Sequence, residues 1–208
     1  VIVAQPVLET HPSDGFGLWP VAEPGPSGFL ALDGTLTPAE VGAAVMYLAA
    51  CNDIDPDGDR PPRPADPLAS FLHGLLTFDT LFASGGLRVT DRATGVTFLP
   101  GCCDGIEDWR GWYRLVAGEG RLGFGHAPVT PTAERVGGTI RLTVDAERSD
   151  SPFIELTPPA LRDLLTGAER DLTAFRVLAD DWASVHLPAH RALVGTALAR
   201  VLDLPAQP

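Results

Sequence analysis

Lysine is missing from this chain; all 15 basic side chains are arginine. A surface that needs positive charge can use either residue, so the bias reads as GC-rich coding and hints at source, not mechanism. The arginines form no cluster, and 27 acidic side chains bring the formal net charge to -12. Such a field repels phosphate backbones and anionic lipid surfaces, so neither nucleic acid nor membrane is expected as a partner. Cationic partners would be steered inward instead. Neither a hydrophobic signal segment nor a run of about 18 apolar residues is found, which excludes a helical membrane span by pattern. Cysteine is scarce as well, with 3 in the chain and two of them adjacent, so no paired disulfide framework is implied. These absences point to a reduced, cytoplasmic protein. The chain opens at Val1 and not at methionine, which leaves a removed leader open.

Catalytic signatures are equally sparse. There is no G-x-S-x-G elbow for a serine nucleophile. Gly15-Phe16-Gly17 and Gly123-Phe124-Gly125 lack the third glycine and the strand-turn-helix setting of a dinucleotide site. His186 and His190 have zinc-like spacing, but Pro188 between them breaks a shared helical face. The carboxylates Asp79, Glu107, Asp108, Glu134, Asp145, Glu147, Asp180 and Asp181 show no spacing that selects an acid/base pair. No cofactor is expected.

What is present suffices for a folded interior: 45% of residues are hydrophobic and only 20% charged, while 22 glycines and 20 prolines supply many loops. A single domain over 1–208 is expected, with an N-terminal strand and helix part to about 83, a central sheet over about 84–156 and C-terminal helices over about 157–204. Val1–Glu9 reads as a strand that Pro6 confines to an edge or stops. A Pro- and Gly-rich connector follows, with Trp19 as its anchor to the core. Thr37-Pro38-Ala39-Glu40 has the pattern of a capping box and opens a helix that stops near Asn52. Asp66-Pro67 opens a second helix, to about Leu76, and Phe78–Phe82 reads as a further helical turn. Leu87–Thr90 and Val96–Leu99 form a hairpin. Asp104 is the expected N-cap of a helix to about Val116, with Trp109 and Trp112 inward. Arg121–Gly125, Thr139–Asp145 and Phe153–Leu156 are strand candidates. Thr157-Pro158-Pro159 starts a helix that Gly167 interrupts, a second one runs from Ala168 to His186, and Pro188 begins the last. Strands in the middle and helices at the end predict an α+β fold. Its sheet is antiparallel or mixed, with helices mainly on one face and a helical C-terminus.

Two constellations stand out. Cys102 and Cys103 precede the expected helix start at Asp104, where amide dipoles favour a thiolate, and His126 is the next histidine along the chain. This is the pattern of a cysteine nucleophile with a histidine base; against it stands cysteine as a small core hydrophobe. Asp53, Asp55, Asp57 and Asp59 begin like a calcium loop, but Pro64 stands where the closing glutamate belongs, so an EF-hand is excluded. An irregular calcium site that stabilises the fold and a solvated acidic contact surface both remain open, the latter shared with Glu107 and Asp108.

The run Leu99–Leu115 (LPGCCDGIEDWRGWYRL), with GFGHAP at 123–128 and IRLTVD at 140–145, resembles uncharacterised proteins of actinobacteria across about the C-terminal half. The resemblance implies a source and an intracellular life, and carries no activity or site residue. The leading reading is a non-catalytic acidic binding domain, similar in general character to immunity and antitoxin-type inhibitors. Its contact residues are Asp53, Asp55, Asp57, Asp59, Glu107 and Asp108, and its partner a basic protein. The alternative is a small-molecule enzyme built on Cys102 or Cys103 with His126.

Overall fold

The computed structural model describes residues 1–56, 61–100, 103–125 and 129–205. Its strands form two antiparallel four-stranded sheets, and the α+β class holds. In the first sheet β1 (Ile2–Glu9) lies between β2 (Phe29–Ala31) and β3 (Gly85–Asp91), with β4 (Thr97–Phe98) beyond β3. In the second, β5 (Arg121–Gly123), β6 (Thr132–Val136), β7 (Thr139–Thr143) and β8 (Phe153–Leu156) pair in sequence order. The β6 strand has no clear alternation and was not anticipated.

Far from stopping at Pro6, β1 runs through it and pairs on both sides. The carbonyl of Pro6 accepts from Leu32 N–H at 2.8 Å, so its missing donor would also have pointed toward β2. Yet β2 pairs only with Val7–Glu9. Pro6 therefore sits just past the last β2 pair, where the ladder gives up only the one bond its own nitrogen would have donated toward Leu32. Val7 and Leu8, successive residues on opposite faces, are 0% and 1% exposed, so both faces of the sheet are covered at this end.

Three of the helices begin at sequence-legible caps. In α1 (Pro38–Ala50) the Thr37 hydroxyl accepts from Glu40 N–H, and the Glu40 carboxylate accepts from Thr37 N–H at 2.8 Å. In α2 (Pro67–Thr77) Asp66 Oδ1 accepts from Ala69 N–H. In α4 (Pro158–His186) Thr157 plays that part for Ala160. Gly167 does not interrupt α4: the buried stripe Leu161, Leu165, Ala168, Leu172 and Phe175 passes it in register, and packing outweighs a glycine cost of about 1 kcal/mol. Phe78–Phe82 is irregular rather than helical. The aromatic segment begins as a 3-10 helix, Ile106–Trp112, continued by α3 (Tyr113–Ala117); its N-cap is Gly105 and not Asp104. After Pro188 a turn precedes α5 (Arg191–Val201).

Packing centres on α4, which lies against β1, α1, α3 and α5. One continuous core joins both sheets to these helices: Leu8, Leu48 and Leu87 share it with Ile140, Leu142 and Ile154. The close approach of α2 to the end of α1 depends on Gly74, where an added Cβ would lie 1.8 Å from the carbonyl oxygen of Asn52. None of the described helices is long and apolar enough to cross a membrane.

Candidate functional site

The Cys102-Cys103 turn, the place of the alternative catalytic reading, is only partly described. Gly101, Cys102 and His126 lie outside the described residues, as do Asp57 and Asp59 of the acidic loop. Cys103 is exposed. Just beyond it the chain is stitched to the start of β3: Gly85 N–H donates to the Asp104 carbonyl at 3.1 Å, and Ile106 N–H to that of Ala83 at 3.0 Å. Trp109 and Trp112 face the core, as expected.

Glu107 folds back over Gly105, so closely that a Cβ there would lie 2.0 Å from its carboxylate, and accepts from Ala83 N–H at 3.1 Å. Burial raises its pKa, the backbone bonds oppose this, and the neighbouring Asp108 charge adds to the rise. Glu107 thus points inward, while Asp108 remains exposed. Because the folded pKa lies above the ordinary 4.5, the protonated form is the one the fold prefers. That contribution is fully present below about pH 4.5 and is lost as pH rises through the folded value. Glu107→Gln keeps the acceptor for Ala83 and cannot ionise. Its Tm should exceed the parent's by about 2 °C at neutral pH, the gap closing toward pH 4. A thermal-shift series in which the variant is less stable by the same margin at every pH would refute this.

Asp53 and Asp55 are tied together by Arg63, whose Nη1 pairs with Asp53 and whose Nε is 3.1 Å from Asp55 Oδ1. The same Nη1 donates to the Ser70 carbonyl on α2, so the arginine anchors this acidic stretch beside that helix. Among the described residues no three His, Cys, Asp or Glu side chains converge for a metal ion.

A cleft of about 480 Å³ opens at Cys51, two residues before Asp53, and sequence reasoning had not singled it out. Its walls are the 11–16 segment of the connector, Met46, Tyr47, Ala50 and Cys51 at the end of α1, and Phe71 of α2. The connector is held by Trp19, whose Nε1 donates to the Gly42 carbonyl at 2.9 Å; Gly42 has no room for a Cβ, which would meet the Pro20 carbonyl at 2.3 Å. Phe16 packs edge-on against Trp19 at 4.9 Å and tilted against Phe71 at 5.5 Å, which spreads the aromatic wall. The Tyr47 hydroxyl donates to the His11 carbonyl at 3.3 Å and closes one end.

The field in this cleft is negative. Burial raises the Tyr47 phenol above its ordinary value, and the charge of Glu23 raises it further. Burial likewise raises the Cys51 thiol, with Glu107 and Glu9 adding to the rise and the Ser84 N–H bond opposing it. Cys51 therefore sits here as a thiol, suited to packing and poorly suited to nucleophilic attack at neutral pH. Asp14 lines the cleft directly. No family model, curated protein or solved structure matches this chain. No sequence signal would have found the cleft, because Phe16, Tyr47 and Phe71 lie on three separate elements joined only by packing.

Proposed function

We propose that this protein is a non-catalytic binding domain for a basic protein partner, an inhibitor of the immunity or antitoxin type acting in the cytoplasm. The observation that carries the reading is the apolar cleft set among carboxylates. Phe16, Met46 and Phe71 offer a pocket for one apolar anchor side chain, while Asp14 in its wall, and Asp53 with Asp55 just beyond Cys51 in the chain, where two carboxylates share the single cation of Arg63, leave net negative charge for a basic rim. Interfaces draw their affinity from such a desolvated anchor and their on-rate from complementary charge around it. The net charge of -12 supports the same polarity of partner.

The test uses an acetylated, amidated peptide, Arg-Leu-Arg-Trp-Arg, against the same peptide with glutamate for arginine, followed by amide chemical shifts. The basic peptide is expected to shift Tyr47 and Phe71 saturably and the acidic one to leave them unmoved. Asp14→Lys with Asp55→Lys, both exposed positions, should weaken the basic peptide about tenfold or more. Equal binding of both peptides, or no effect of the reversals, would overturn the proposal.

A further inference from the structure

A second cleft, of about 530 Å³, lies between α4, α5 and the turn after Phe78. Thr196, Ala199 and Arg200 form one wall at helical spacing on α5, Arg176 of α4 joins them, and Asp79 stands in the opposing turn. Asp203 and Leu204 complete the lining.

Its charges are incompletely paired. Arg176 is only 8% exposed; its Nη2 is 3.3 Å from Asp180 Oδ2, and its Nε has no hydrogen-bond partner among the described residues. Room for this pair comes from Gly195, where a Cβ would lie 2.7 Å from Asp180 Oδ1. Holding a guanidinium this deep is costly unless its donors are used. Arg200 donates from Nη2 to the Phe78 carbonyl at 3.1 Å and meets no carboxylate among the described residues. Asp203 is already taken, its Oδ2 lying 3.2 Å from Arg110 Nε. Asp79 is exposed and has neither ion pair nor hydrogen bond among the described residues. A cationic wall and an uncommitted carboxylate thus face one cleft without pairing across it.

We propose that the cleft between α4, α5 and the turn at Asp79 binds a free α-amino acid with an apolar side chain, a zwitterion that bridges the two charges. Its carboxylate lies against Arg200 and Arg176, whose planar guanidinium groups suit two-oxygen acceptors. Its ammonium lies against Asp79, and its side chain against Ala199 and Leu204. The volume is within the range of small-molecule sites.

The probes are L-leucine, N-acetyl-L-leucine, which lacks the ammonium, and L-leucinamide, which lacks the carboxylate. Amide chemical shifts over 196–204 and at Thr80 report binding. L-leucine should give saturable shifts, and each blocked probe should bind about tenfold or more weaker, the loss of one charge-assisted contact. Arg200→Gln should weaken L-leucine by a similar factor. Asp79→Asn should make L-leucine and N-acetyl-L-leucine bind alike. Absence of saturable shifts with L-leucine, or equal binding of N-acetyl-L-leucine to the parent protein, would overturn the proposal. Neither result touches the first cleft, which shares no lining residue with this one.

Discussion

Asn52→Ala should lower the unfolding free energy by about 3–5 kcal/mol, among the largest effects available to a single polar residue here. Asn52 is 3% exposed, and its side chain does the work of a short piece of sheet. Its Nδ2 donates to the Leu48 and Phe82 carbonyls, each at 2.8 Å, and its Oδ1 accepts from Phe82 N–H at 3.1 Å. It thus closes the last turn of α1 and fixes both polar groups of Phe82, at the point where the irregular 78–84 segment feeds into β3. Alanine would leave those backbone groups without the partner that replaced water, at about 1–3 kcal/mol for each one that stays buried. Asn52→Asp should fare no better, because it keeps the acceptor, loses both donors and adds a buried charge. Urea unfolding with an unchanged slope, together with faster hydrogen exchange at Phe82, is the expected signature. A loss below about 1 kcal/mol would show that water replaces the amide at little cost.

Trp109→Ala should cost a comparable amount, about 3–5 kcal/mol from lost burial and the cavity left behind, and roughly 1 kcal/mol more for its hydrogen bond. The indole is 1% exposed, and its Nε1 donates to the Leu202 carbonyl at 2.9 Å, joining the 3-10 helix to the end of α5 across 93 residues of chain. Arg110 reinforces the junction: its guanidinium lies 4.4 Å above the Trp109 ring, Nε donates to the Asp203 carbonyl at 3.0 Å, and Nη2 pairs with Glu169 on α4. Trp109→Phe separates the two contributions, since it retains most of the packing and loses only the donor. The phenylalanine variant should therefore lose much less than the alanine one by thermal unfolding. Equal losses would assign the whole effect to the hydrogen bond and contradict the packing argument.

Both residues sit at junctions that sequence reasoning valued for other reasons, or not at all. Trp109 was expected to face inward because its spacing with Ile106 and Trp112 gives a helical stripe, and a stripe needs only its own neighbours to be visible. Asn52 appeared merely as a helix stop. Its partner Phe82 is 30 residues away, and nothing in either segment announces the pairing. Glu107 was read as a surface charge because acidic residues are mostly exposed; the fold turns it inward over Gly105, where the Ala83 amide receives it.

Local elements are legible in neighbouring residues. Thr37, Asp66 and Thr157 mark helix starts because a cap is made by residues three apart, and the alternation of Thr139–Thr143 marks a strand because its two faces meet different solvents. Composition determined the sign of the field and the capacity for a core. Long-range packing makes β1 an inner strand despite Pro6, carries α4 through Gly167 unbroken, and folds the connector back through Trp19 to wall a cleft against α1 and α2. The physical reason is range: a cap or a stripe is an energy between near neighbours and is written where they are. The place of a strand in its sheet, the continuity of a packed helix and the shape of a cleft depend on which distant surfaces the chain buries together.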